Sequence, residues 1–215
     1  MSADNGAAPV AAALVRAREL ADSGQRAVLA VAGPPGAGKS TVAQRVVDEC
    51  GEIAAYLPMD GFHLTNAELE RLERRERKGA IDTFDAAGFV TTLRRVRSAS
   101  ETVYAPLFDR TVEEPIAGAI AIPRQARLIV VEGNYLLIDR EPWSQVRTLC
   151  DETWYVEMDE DVRTEGLVER HVRFGMPRPA AEQWVRDVDQ RNGELVETSR
   201  DNADVVVRVE IGAAA

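Results

Sequence analysis

Lys39 and Ser40 close a glycine-rich turn, Asp60 stands before a glycine, Glu132 ends an apolar run, and Arg170 and Arg173 lie three apart. Together these are the parts that phosphoryl chemistry requires. It needs amides and an ammonium for phosphate oxygens, oxygens for a hard cation, a carboxylate to take a proton and guanidiniums for developing charge. The turn, Gly33-Pro34-Pro35-Gly36-Ala37-Gly38-Lys39-Ser40-Thr41, fits the spacing G-x-x-x-x-G-K-[ST]. Its glycines let the backbone aim several N–H groups into one concavity at the positive end of a following helix, which suits a polyphosphate. Lys39 is expected to reach the outer phosphates, and Ser40 to ligand Mg²⁺.

Asp60 is the expected base, hydrogen-bonded to the hydroxyl under attack. The alternative is an Asp-Gly turn at a strand end. Glu132 is expected at the Mg²⁺, directly or through water, or else as a carboxylate satisfied by backbone. Arg170 and Arg173 share one side of a helix before the Gly/Pro segment 173–179, so they either swing over the phosphates or form a solvated face. Arg163 reads as surface. His63 either contacts the acceptor, fixes Asp60 or is an inert core histidine, and neither it nor His171 has the second ligand that a metal would need. Lys78, Asp82, Asp109 and Arg110 are candidates for the acceptor pocket. Asn192 falls among Trp184, Val185, Val188 and Leu195 and reads as facing a cleft. Trp143, Trp154 and Trp184 read as core, and Cys50 and Cys150 as small buried hydrophobes.

Several elements must position these groups. The run 27–32 predicts a buried strand before the loop, and Val42, Ala43, Val46, Val47 and Cys50 predict a helix after it, ended by Gly51. Further strands are expected at 53–58, 128–132, 153–156 and 204–209. Helices are expected over 10–22, from Asn66 to about 78, from Asp85 onward, over 161–173 and over 179–198. In the second of these, Glu70–Arg74 and Glu73–Arg77 read as salt-bridged pairs four apart. Apolar runs alternating with helices predict an α/β fold: a doubly wound, mainly parallel five-stranded sheet with a small lid. A tail over 1–9 precedes one domain over 10–215, with an acceptor-side excursion at 60–122 and a lid at 170–180. Between 102 and 123 the pattern is irregular and strand-like, broken by Pro106, Pro115 and Gly118, and its 103–110 part is expected to cover the substrate side.

The chain has 215 residues, 26 Lys and Arg against 36 Asp and Glu, and a net charge of −10. With no basic run, neither nucleic acid nor an anionic membrane is an expected partner. The absence of a bilayer-length apolar run, a leader and paired cysteines predicts a cytoplasmic protein. A homodimer is one oligomeric option that the sequence leaves open.

As a set, the loop at 33–41, Met59-Asp60-Gly61-Phe62-His63, Lys78-Gly79 with Phe84-Asp85, and Val131-Glu132-Gly133-Asn134-Tyr135 resemble the phosphoribulokinase/uridine kinase family of P-loop kinases. The segments around Asp60 and from 78 to 85 are similar to those of bacterial type I pantothenate kinases. The whole pattern resembles small bacterial members described as nucleoside, nucleotide or fructose kinases. The resemblance implies ATP and Mg²⁺ as cofactors, Asp60 as base, Glu132 at the metal, Arg170 and Arg173 in a lid, and Asn202 beside the adenine. The expectation is an ATP-dependent kinase that moves the γ-phosphate to a hydroxyl of a sugar, nucleoside or pantothenate-like small molecule. The rival is a nucleotide-dependent switch or slow NTPase regulated by a protein partner; no guanine-reading Asn-Lys-x-Asp segment is present.

Overall fold

The computed structural model describes residues 7–210. The expected tail therefore lies outside the described residues up to residue 6. The strands are β1 (Ala8–Pro9), β2 (Ala27–Ala32), β3 (Ala54–Pro58), β4 (Val103–Asp109), β5 (Glu114–Ile122), β6 (Leu128–Glu132), β7 (Glu152–Glu157) and β8 (Val205–Arg208). The helices are α1 (Val10–Ala21), α2 (Lys39–Cys50), α3 (Asn66–Arg71), α4 (Ala86–Arg97), α5 (Ser144–Leu149), α6 (Glu160–Arg173), α7 (Arg178–Trp184) and α8 (Gln190–Glu197). The central sheet has six parallel strands in the order β1-β8-β7-β2-β6-β3. The count exceeds the expected five because Ala8 and Pro9 pair with Val207 and Arg208. Two residues beside a proline carry no periodic signal.

β2 explains the layering. All six of its residues are buried, and successive side chains alternate between faces. Val28, Ala30 and Ala32 meet Phe89, Leu93 and Trp143 on one face, while Leu29 and Val31 meet Ala17, Val42 and Val46 on the other. Strands covered on both sides lose the polar alternation of half-exposed ones. Each fully buried Leu or Phe contributes roughly 2–3 kcal/mol. Phe89, Val90, Leu93 and Val96 face inward from α4, whose first turn is capped by Asp85 accepting from the Gly88 amide at 2.8 Å. Trp143 and Trp154 are fully buried.

The 60–122 region differs most from expectation. α3 is only six residues long, and Thr65 caps it by accepting from the Glu68 amide. Arg74 and Arg77 do not pair with Glu70 and Glu73; both turn to Asp82. The irregular stretch is an antiparallel hairpin of β4 and β5, with a register shift between Ala105 and Leu107. Pro106, which has no N–H to give to the ladder, occupies that bulge. A small separate core of Leu167, Val168, Ala181 and Val185, with Met176 against it, joins α6 to α7. Among the described residues no helix is long and apolar enough to cross a membrane.

Arg26, just before β2, ties the far layers together. Its guanidinium donates to the carbonyls of Val96 (2.6 Å), Ala126 (2.9 Å), Pro123 (2.8 Å) and Arg124 (2.8 Å). Replacing it strands several carbonyls at once, and charged hydrogen bonds are worth about 1.5–3 kcal/mol each before compensation by water. Arg26→Ala is expected to lower unfolding stability by about 2–4 kcal/mol in urea titration, without full rescue by lysine. A loss below about 0.5 kcal/mol would show that water replaces these bonds.

Candidate active site

Strand register assembles the site. Glu132, the last residue of β6, pairs with Val31 on one side and Pro58 on the other. The phosphate loop begins two residues beyond Val31 and Asp60 lies two residues beyond Pro58. The three ends therefore open at one level, where ligands of open α/β sheets collect. A cavity of about 760 Å³ lies there, lined by Gly36, Lys39, Ser40, Asp60, Glu132 and Arg170 among others.

The loop enters α2 with Gly38 as its cap residue. Gly36 has φ +80°, and a Cβ there would sit 2.7 Å from Leu167 Cγ. Only glycine lets α6 rest on the loop. Lys39 is buried and arches back to donate from Nζ to the Pro34 carbonyl at 2.8 Å. Burial holds its ammonium down to about 8, although nearby Glu132 and Asp60 oppose that shift. An ammonium with a single carbonyl partner in a desolvated loop has donors to spare for a polyphosphate. Glu132 is likewise buried; desolvation pushes its carboxyl up, against the pull of Lys39, and its Oε2 accepts from the Tyr56 hydroxyl at 2.8 Å.

Asp60 sits on a 3₁₀ turn, Met59–Phe62. A Cβ on Gly61 would lie 2.2 Å from the Pro106 carbonyl oxygen. The missing side chain lets the hairpin lie over the turn and brings Arg110 Nη2 to 3.2 Å from Asp60 Oδ2. His63 Nδ1 lies 2.9 Å from the Asp60 carbonyl oxygen, so Nδ1 carries the proton, since a carbonyl only accepts. Burial lowers the His63 pKa, and the ring lies against Phe84 and Phe108, with centroids 4.0 and 4.9 Å away. Through this bond His63 braces the turn that carries Asp60, while its ring also lines the cavity.

The remaining candidates divide. Lys78 and Asn192 line the cavity with Arg110 and His63. Asp82 does not; it holds Arg74 and Arg77. Asp109 also lies outside the lining and accepts from the Thr111 amide at 2.7 Å. Of the two lid candidates near the end of α6, Arg170 lines the cavity and Arg173 is exposed beyond it. Asn202 donates to the Leu137 carbonyl at 3.0 Å and reaches neither this cavity nor its neighbour. That neighbour, about 670 Å³, lies between Pro34, Tyr155, Arg200 and Arg208.

Arg163, expected at the surface, is 3% exposed and braces the loop by donating to the Pro35 carbonyl at 3.2 Å and to Gln190 Oε1 at 2.6 Å. Trp184 lines the cavity instead of filling the core. Asp189 also lines it, 2.8 Å from His171 Nε2, on a single π-turn at Val185–Asp189 that no periodicity announces. Phe108, on the stretch expected to cover the substrate side, lines the cavity, as do Arg75 and Glu113, which the sequence reading missed.

The model of the phosphoribulokinase/uridine kinase family matches residues 28–210. An ATP-dependent kinase-like protein of Aspergillus versicolor is 38% identical over 152 residues, covering 66% of this chain and 88% of that protein. A provisionally assigned uridine kinase of Schizosaccharomyces pombe is 32% identical, covering 90% of this chain and 87% of that protein. Among solved structures, a Silicibacter protein assigned provisionally as a fructose transport system kinase superposes with a TM-score of 0.81 at 32% identity, over 92% of this chain and 98% of that one. With the loop, the carboxylates and the cavity in register, the chain belongs to the phosphoribulokinase/uridine kinase family and is an ATP-dependent phosphotransferase, a P-loop kinase.

Proposed function

We propose that this kinase transfers the γ-phosphate of ATP to a hydroxyl of a small metabolite of the sugar, nucleoside or pantothenate-like kind, with Asp60 as general base. The observation that carries this reading is the shared register of Val31, Glu132 and Pro58, which sets a phosphate cradle and a carboxylate on either side of Glu132. A slow NTPase switch would leave Asp60 and the acceptor side of the cavity without a purpose. The relatives' names point to different acceptors, uridine and fructose, so neither is carried over.

Asp60 would accept the proton of the attacking hydroxyl, Lys39 and the loop amides would hold the phosphate oxygens, and Arg170 would offset charge on the group in transit. Arg170 suits that task because it is a guanidinium in a desolvated position, with burial lowering its pKa. The nucleoside end fits the cavity beyond Pro34. Mg²⁺ fits Ser40 and Glu132: both line the cavity, and no cluster of three or more His, Cys, Asp or Glu among the described residues offers a self-sufficient metal cage. Mg²⁺ takes one or two protein oxygens and completes its shell with phosphates and water. When bound it would supply a Lewis acid for the phosphate oxygens.

Asp60→Asn should keep ATP affinity within about threefold while lowering acceptor-stimulated ADP release by about 10²–10⁴. Transfer at the original rate would reduce Asp60 to a turn residue. Lys39 supplies a pH signature. Its proton is lost near pH 8 in the free site, and a bound polyphosphate raises that value. Nucleotide binding should therefore take up close to one proton between about pH 8 and 10 and weaken as pH rises through that window. Calorimetry in buffers of different ionisation enthalpy reads this uptake, and Lys39→Ala should abolish it.

A further inference from the structure

The acceptor end of the cavity is charged in an unusual way for a protein of net charge −10. It is built by the turn Arg75–Arg77 and by the hairpin tip. Three cations line it, Arg75, Lys78 and Arg110, alongside the carboxylates Asp60 and Glu113. Arg75 is the telling member. Its neighbours Arg74 and Arg77 are both occupied by Asp82, whereas Arg75, which lines the cavity, has no ion-pair partner among the described residues. Lys78 is held in place by two neutral oxygens, Asn66 Oδ1 at 2.8 Å and the Glu113 carbonyl at 2.6 Å, and lies 4.9 Å over the Phe108 ring. Neither contact neutralises its charge. Among the described residues, the carboxylate partner of Arg110 is Asp60, the proposed base.

We propose that the acceptor carries an anionic group, a carboxylate or a phosphate ester, bound by Arg75, Lys78 and Arg110, and that Arg110 leaves Asp60 to bind it. This rests on the kinase reading above and adds the acceptor's charge class and a latch. Guanidiniums grip such groups bidentately, and a lysine adds a third donor. With no acceptor bound, Arg110 occupies Asp60 Oδ2, the oxygen that an alcohol needs. An acceptor anion takes over the guanidinium, and the freed carboxylate receives the hydroxyl proton. The hydroxyl oxygen then bonds to the γ-phosphorus as the bond from that phosphorus to the ADP oxygen breaks. ADP leaves with the electron pair. Water and uncharged alcohols leave the latch closed, which limits idle hydrolysis.

The test uses the full chain loaded with Mg²⁺ and a non-hydrolysable ATP analogue, so that anions cannot settle in the phosphate loop. Thermal stability is followed against D-glycerate, D-ribonate and D-ribose 5-phosphate, with glycerol and D-ribose as uncharged counterparts. A charged member should raise Tm, the neutral ones should not, and Arg75→Gln or Arg110→Gln should weaken that binding at least tenfold. A response to the acids alone assigns a carboxylate; a response to the phosphate alone assigns a phosphate ester. No shift with any anion, or one that survives Arg110→Gln unchanged, overturns the site.

ADP release is the second readout. Arg110→Gln should raise acceptor-independent release at least threefold, and an unchanged rate overturns the latch. Stimulation by the neutral compounds alone sinks the anion assignment and leaves the kinase reading intact. Anions that bind without prompting ADP release sink the kinase reading and leave the anion site.

Discussion

The pairing of β6 with β2 on one side and β3 on the other is the constraint on which everything else depends. Parallel strands that end at one level deliver whatever follows them to one edge, and here that is the loop, Glu132 and Asp60. A slip of one residue would turn every side chain of β6 to the opposite face. Val131 would trade its contacts around Val28 and Trp143 for the layer occupied by Val42 and Val46. The two-sided core therefore fixes the site's geometry: apolar packing far from any phosphate decides how the carboxylates stand relative to Lys39.

The price of that arrangement is charge in a desolvated place. Lys39 is pushed down and Glu132 is pushed up by the same burial, each partly relieved by the other. Tyr56 satisfies one oxygen of Glu132 and the Pro34 carbonyl satisfies part of Lys39. In the proposed reaction a nucleotide with its divalent cation would supply what both residues lack. The strain of burial in the free protein would then become differential affinity for that ligand.

The parts legible in the sequence were those set by local pattern. The loop, the continuous apolar strands, the Asp85 cap and the inward face of α4 all follow from neighbours a few residues apart. What escaped depends on partners far along the chain. Arg163 looked solvated because nothing near it in sequence reveals Pro35, 128 residues away. Strand character between 102 and 123 was legible, but the β4–β5 pairing was not, because Pro106 and Gly118 read as breakers and the register shift between Ala105 and Leu107 absorbs both within the ladder. The helix at 66 was read too long because charge pairs four apart also suit a chain whose arginines serve Asp82. Arg75 then went unseen, since its direction depends on where that helix stops. Asn202 was placed beside adenine by resemblance alone, and its side chain is instead committed to the Leu137 carbonyl.

The separate core shared by α6 and α7 bears on what kind of lid this segment would make in the proposed kinase. A segment held together by its own Leu167, Val168, Ala181 and Val185 can swing as one rigid body without melting. Its amides should then share a single opening free energy instead of fraying from one end. Because Leu167 also rests against Gly36, such a swing would start at the phosphate loop itself. Hinge and proposed triphosphate seat would then be one mechanical part.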